Sequence, residues 1–155
     1  MATIIRASIE VDTSRVSART ERGAAFSMNV DAGAAAGPKE ALLASLAGCT
    51  GMDVVSILRK KRQRVVAYDI EVIGHSAEEH PRVFIAIGVE HRVHGEVTSE
   101  ALRRSIELSA TTYCPVNAML SARATIEHRY RLTDAHGGSH EAVVAITGPD
   151  GIRVL

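Results

Sequence analysis

The chain has 155 residues, with 18 Lys plus Arg against 18 Asp plus Glu, 3% aromatic residues and two cysteines. Balanced charge gives a polyanion no electrostatic advantage, so we expect no nucleic-acid partner. Arg6 and Glu10 interrupt the N-terminal apolar segment, which argues against a signal peptide. The longest uncharged run, 108–122, is shorter than the ~18 residues of a membrane span. We therefore expect one cytoplasmic domain over residues 1–155, without a membrane partner.

The first thirty residues alternate between apolar and polar side chains. Ile5, Ala7 and Ile9 share one face of a predicted strand, and two similar short runs follow after polar connections. This pattern predicts an antiparallel meander. Residues 33–37, rich in Gly and Ala, predict a flexible linker.

A long helix is predicted over 38–62. Pro38 suits the first helical position, and Glu40 lies in the first turn, near the positive end of the helix dipole. Between Ala41 and Leu58 the helix is apolar on nearly every side, a pattern typical of a helix buried all round. Because one sheet of a monomer covers one side only, we expect a homodimer with Cys49 near the interface.

The remaining residues alternate between strand and helix patterns. Runs 65–75 and 82–94 predict paired strands, and Thr98 predicts the start of a helix with an apolar stripe through Leu102 and Ile106. A short helix after Cys114, a strand at 125–132 and a hairpin through 148–151 complete the chain. This order predicts an α+β fold with a mostly antiparallel sheet.

The two cysteines lie in different local settings. Cys114 directly precedes Pro115, which predicts an N-cap position where backbone N–H groups stabilise a thiolate; the alternative is a small buried hydrophobe. Cys49 lies within the long helix, so only a nearby cation could activate it. Gly48 and Gly51 leave room beside it, either for a substrate or for close packing of another element.

No metal or cofactor site is predicted. The cysteines are 65 residues apart and form no CxxC motif, and zinc needs more ligands than two. His91 and His94 are three residues apart on a predicted strand and so point to opposite faces. In a reducing compartment, such a pair is catalytic, redox-sensing or inert rather than a structural bridge.

Two segments together resemble the OsmC/Ohr family of osmotically inducible and organic hydroperoxide resistance proteins. They are "GPKEALLASLAGCTGMDVVSILRKKR" at 37–62 and "SATTYCPVNAMLS" with "TIEHRYRL" downstream. The resemblance covers about residues 3–132 and is closer to the OsmC-like branch; 135–155 is a C-terminal extension outside it. It implies an intertwined dimer in which a mostly antiparallel sheet wraps around a long central helix.

The resemblance also implies a thiol-dependent peroxidase that prefers organic hydroperoxides. By position, Cys49 matches the peroxidatic cysteine and Cys114 the resolving one. Cys49 would become a sulfenic acid, Cys114 would convert it to a disulfide, and an external dithiol would reduce that bond. In the family's Ohr branch, this reductant is a lipoylated protein.

The polar partners of the peroxidatic thiol depart from the Ohr pattern. Its arginine corresponds to Arg22 or Arg19, of which we favour Arg22, and its glutamate corresponds to Glu40, because Lys39 occupies the usual place. Asp53 lies one helical turn from Cys49, and its charge is expected to raise the pKa of that thiol. These departures keep two alternatives open: a non-catalytic redox-sensing or small-molecule-binding module, and two cysteines that only pack.

Overall fold

The computed structural model describes residues 2–29 and 35–155. The chain divides into two compact units, Met1–Leu42 and Leu43–Leu155. The candidate cysteines both belong to the second unit.

The N-terminal unit contains a three-stranded antiparallel sheet. Its strands are β1 (Ile5–Ile9), β2 (Val16–Thr20) and β3 (Ala25–Met28), in the order β1-β2-β3. Gly23 has φ +85° in the turn between β2 and β3, a conformation that favours glycine. The predicted meander is confirmed, whereas the predicted linker at 33–37 lies partly outside the described residues.

The long helix α1 extends over Pro38–Lys60. At its start, the Gly37 N–H donates to the Glu40 carboxylate at 2.7 Å, the back-bond of a capping box. At its end, Arg62 has φ +57°, and the Gln63 N–H donates to the Leu58 carbonyl at 3.0 Å. This Schellman-type arrangement ends the helix two residues before the predicted limit.

Only one face of α1 is covered in the single chain. The buried side chains Leu46, Thr50, Val54 and Leu58 recur every four residues and so form one stripe. Met52, on another face, is 72% exposed. One covered face is what we expect of a single chain, and burial of the other faces by a second copy stays a prediction. By length and composition α1 could cross a membrane, a property that it shares with the core helices of many proteins.

The second unit contains a five-stranded sheet. Its strands are β4 (Arg64–Ser76), β5 (Phe84–Glu96), β6 (Thr125–Asp134), β7 (Ser139–Gly148) and β8 (Gly151–Val154), in chain order across the sheet. Only β5 and β6 are parallel among these neighbours. The α+β class with a mostly antiparallel arrangement is confirmed, although the described strands form two sheets. The tail forms β7 and β8, including the predicted hairpin.

Helices connect the parallel strands β5 and β6. These are α2 (Ser99–Leu108), a π-helical turn (Ser109–Tyr113) and α3 (Pro115–Ser121). Thr98 caps α2 as predicted, since its hydroxyl accepts from the Ala101 N–H at 3.2 Å. Leu102 and Ile106 of α2 are fully buried. Cys114 packs with Leu46 of α1 in an apolar cluster, which brings the start of α3 to the buried stripe of α1.

Candidate active site

Two thiols and a carboxylate meet between α1 and the start of α3. The sulfurs of Cys49 and Cys114 and a carboxylate oxygen of Asp53 all lie within 4.8 Å of one another. Both cysteines are free thiols; Cys114 is 3% exposed, while Cys49 is half-buried. Folding therefore brings the two distant cysteines into one partly sheltered cluster, as expected.

Cys114 is the N-cap of α3. The backbone N–H of Asn117 donates to its sulfur at 3.3 Å, and the Thr50 hydroxyl donates at 3.6 Å. The predicted N-cap is thus confirmed. Because both donors point at the sulfur from fixed elements, they hold it at the side of α1.

The Cys49 thiol resists ionisation in this setting. The pKa of Cys49 is raised to about 11, and burial is the largest cause. A hydrogen bond with Cys114 and the charges of Cys114 and Asp53 raise it further, whereas a hydrogen bond from the Val116 N–H lowers it. The predicted effect of Asp53 is confirmed in direction. A thiolate at neutral pH therefore requires a compensating positive charge.

In the described part of the chain, Asp53 accepts a hydrogen bond from a hydroxyl group. The Ser109 Oγ–H donates to its Oδ2 at 2.9 Å, and Ser109 is fully buried. Ser109 begins the π-helical turn, and its backbone carbonyl accepts a hydrogen bond from the Cys114 N–H at 2.9 Å. This widened turn connects the partner of Asp53 directly to the start of α3.

The cluster also has the chemistry of a metal ligand set. Thiolates and carboxylates are ligand types that zinc binds, and the three ligand atoms here lie within 4.8 Å of one another. His91 and His94 point to opposite faces of β5, as predicted, because His91 is buried and His94 is exposed.

The glycines beside Cys49 serve different purposes. A Cβ on Gly51 would lie 2.8 Å from Cδ1 of Ile70, so this glycine allows α1 to pack closely on β4. A Cβ on Gly48 would meet nothing within 4 Å. Both glycines line an open cavity of about 760 Å³ beside α1, whose wall also includes Met52 and Tyr68.

The other predicted site residues belong to the first unit. Arg22 lies in the turn between β2 and β3, Arg19 lies in β2, and both are exposed. Glu40 caps α1 through the Gly37 N–H. Their roles beside Cys49 stay predictions.

Three polar residues of the cluster were not predicted from the sequence. Thr50, Ser109 and Asn117 are all buried and all bond to the cluster. The signal for Asn117 was available, because the third position after an N-cap supplies the N–H that the cap accepts. Ser109 had no such signal, since its contact depends on a π-helical turn.

The fold and site define a class: an α+β protein with a dithiol cluster at a long apolar helix. A model of the family described as OsmC-like protein matches residues 31–129. Protein YhfA of Escherichia coli (strain K12) is 38% identical over 99 residues, covering 63% of this chain and 74% of YhfA. The chain belongs to the OsmC family, as the two cysteine segments predicted.

Solved structures share this fold. A hypothetical protein from Aquifex aeolicus has a TM-score of 0.79 at 26% identity, covering 86% of this chain and 98% of that one. An organic hydroperoxide resistance protein OsmC from Legionella pneumophila has a TM-score of 0.62 at 10% identity, covering 83% and 95%. At that identity the second likeness shows the fold alone.

Proposed function

We propose that this protein is a thiol-dependent peroxidase that reduces hydroperoxides, with organic ones preferred. The observation that carries the proposal is the meeting of Cys49 and Cys114 within 4.8 Å, from segments 65 residues apart. Membership of the OsmC family supports the thiol-dependent chemistry, and the resemblance of the two cysteine segments to the OsmC/Ohr pattern supports the substrate class.

The two thiols divide the reaction between them. The Cys49 thiolate attacks one peroxide oxygen, the O–O bond breaks, and the alkoxide leaves as an alcohol after taking a proton. The resulting Cys49 sulfenic acid is attacked by the Cys114 thiol, which releases water and forms a disulfide. An external dithiol, such as a lipoylated protein, reduces that disulfide by exchange and is itself oxidised. The exposure of Cys49 relative to Cys114 favours this division of roles.

In this proposal, Arg22 supplies the positive charge that ionises Cys49, with Arg19 as the alternative. Glu40 orients that arginine in addition to capping α1. The requirement comes from the thiol itself, because its raised pKa leaves it protonated at neutral pH without a cation. In the cytoplasm, where we expect the protein to act, the external dithiol returns both cysteines to free thiols after each cycle.

We also propose that two copies form a homodimer. Only 22% of the most apolar stretch of α1 is buried in the single chain. Val66 and Ile85 on the large sheet are 74% and 52% exposed. A second copy of the same chain offers apolar surfaces of matching character.

Mass spectrometry after one equivalent of cumene hydroperoxide tests the reaction. The wild type is expected to form a Cys49–Cys114 disulfide, whereas Cys114→Ser is expected to accumulate a sulfenic acid on Cys49. Ser105→Ala, which removes a buried hydroxyl that donates to the Ala101 carbonyl within α2, serves as the control. Reduced Cys49 after this treatment contradicts the proposal.

A redox sensor is the second candidate, because Lys39 stands where the Ohr pattern has its glutamate and Asp53 lies beside the Cys49 thiol. A sensor is oxidised once per chain and awaits a slow reductant, while a peroxidase turns over. Steady-state assays with several dithiols, including dihydrolipoamide, separate the two: stoichiometric oxidation without turnover assigns the sensor.

A further inference from the structure

Four polar side chains form a hydrogen-bonded series that crosses the core of the second unit and ends at α3, the helix that Cys114 caps. The Tyr68 hydroxyl lies 2.6 Å from Nδ1 of His91, and Nε2 of His91 lies 3.3 Å from Nδ1 of His128. Nε2 of His128 lies 2.9 Å from Oδ1 of Asn117. His91 and His128 are fully buried, and Asn117 is 1% exposed. The reaction proposed above uses none of the four.

The surroundings of Asn117 fix which group donates and which accepts in the hydrogen bond between Asn117 and His128. Nδ2 of Asn117 donates to the Ala110 carbonyl at 2.8 Å and to the Thr147 hydroxyl at 3.1 Å. Because a carbonyl only accepts, the amide cannot be reversed, and its Oδ1 faces His128. His128 therefore carries its proton on Nε2 and donates to Asn117.

The positions of the other protons follow because both imidazole rings are neutral. Burial lowers the pKa of His128 to about 4 and the pKa of His91 well below its usual range, so both rings are neutral near pH 7. With Nε2 of His128 protonated, its Nδ1 accepts from His91, and Nδ1 of His91 then accepts from the Tyr68 hydroxyl. All donors point the same way, from β4 through β5 and β6 to α3.

Asn117 is fixed by its neighbours on three sides. Its carbonyl oxygen accepts from β6, and its two amide hydrogens bond to the π-helical turn and to β7. Its backbone N–H, held by the same anchoring, donates to the Cys114 sulfur at 3.3 Å. Thr147 belongs to the C-terminal extension beyond the residues that the family model matches.

We propose that Tyr68, His91, His128, Asn117 and Thr147 form a positioning network that holds Cys114 ready to close a disulfide with Cys49. The C-terminal extension takes part through Thr147. This inference rests on the resolving role of Cys114 in the proposed function. The network touches neither peroxide nor the Cys49 sulfur, so we expect its main effect on the second step, in which the Cys114 sulfur attacks.

Ring closure can be followed without any peroxide. A dithiobis-nitrobenzoate disulfide first reacts with the more exposed thiol, Cys49, forming a mixed disulfide and releasing one aromatic thiolate. The Cys114 thiol then loses its proton to solvent and attacks the Cys49 sulfur. The Cys49–Cys114 bond forms as a second aromatic thiolate leaves, which gives a second phase of absorbance. Cys114→Ser is expected to release the first thiolate alone.

The variants separate positioning from general stability. His128→Leu is expected to slow the second phase about tenfold or more, because a sulfur displaced by a fraction of an ångström attacks poorly. Its first phase should stay within about twofold. His128→Gln restores an N–H donor toward Asn117 and should recover much of the closure rate. Tyr68→Phe and Thr147→Val, milder changes at the two ends, should slow closure less.

Ser105→Ala is the matched control, because it deletes a buried hydroxyl that bonds within α2. Unchanged closure in His128→Leu, equal slowing of both phases, or equal slowing by Ser105→Ala overturns the inference. A wild type that closes rapidly here but leaves Cys49 reduced in cumene hydroperoxide contradicts the peroxidase and leaves the network intact.

Discussion

At the scale of single residues, Cys49 is surrounded by groups that oppose its ionisation. Burial and the neighbouring Asp53 both raise its pKa, and Ser109 holds that carboxylate in place. A structural advantage of Asp53 is that it links α1 to the π-helical turn. The same carboxylate makes the reactivity of Cys49 depend strongly on added positive charge.

Replacing this carboxylate by an amide is expected to make Cys49 more reactive. Asp53→Asn removes a negative charge beside the sulfur and so lowers the pKa of the thiol, while the amide can still accept from Ser109. We expect alkylation of Cys49 by iodoacetamide at pH 7.5 to speed up by about two- to tenfold. Peptide mass spectrometry measures the rate at each cysteine.

The matched control is Asp69→Asn, which removes an exposed carboxylate on β4. It should leave the alkylation rate of Cys49 unchanged. An equal or slower rate in Asp53→Asn contradicts the electrostatic explanation.

At the scale of elements, α1 presents one buried stripe and a wide apolar surface. The stripe packs on the large sheet, and Gly51 allows the close approach to Ile70. Gly48, Met52 and Val55 on the exposed side line the open cavity. We have proposed that a second copy covers this surface.

Met52→Glu is expected to convert the proposed dimer into monomers. A carboxylate in the centre of an apolar interface loses hydration without gaining a partner, which costs several kcal/mol. Light scattering coupled to gel filtration at micromolar concentration measures the mass. His136→Glu, an exposed change in the turn between β6 and β7, should stay dimeric. A monomeric wild type rules out this interface, and flotation with lipid vesicles would assign the surface to a membrane instead.

At the scale of the whole molecule, the buried histidine pair links folding to pH. Both imidazoles have lowered pKa values in the folded state, His128 at about 4, against about 6.5 for an unfolded histidine. Above pH 6.5 neither state binds these protons. As the pH falls toward 4, the unfolded chain binds protons that the folded protein refuses, so the free energy of unfolding falls.

We expect this loss to approach ~3 kcal/mol for His128 alone by pH 4, with a slope of about 1.4 kcal/mol per pH unit for each histidine. Urea unfolding at pH 7.5, 6.0 and 5.0, at one protein concentration, measures it above the range where carboxylates titrate. His128→Gln should flatten the profile by about half. His75→Gln removes an exposed imidazole and should leave the profile unchanged. A wild-type profile that stays level from pH 7.5 to 5.0 contradicts the assignment of two neutral buried rings.

Much of the fold follows from local patterns. Alternation predicted the strands, Pro38 and Thr98 predicted two helix starts, and Pro115 after Cys114 predicted the cap of α3. These signals are local because a helix start or a strand face depends on neighbours within a few residues. The position of the tail strands was also anticipated through the turn residues at 148–151.

The sequence by itself determined the elements, the family and the two cysteines, since short-range periodicity and two motifs carry that information. Only the tertiary structure decided which side chains surround those cysteines. Ser109 reaches Asp53 across 56 residues, and His91 meets His128 across 37. Such contacts depend on helix phase, strand register and a π-helical turn, which the packing of the whole unit selects and no short stretch of sequence encodes.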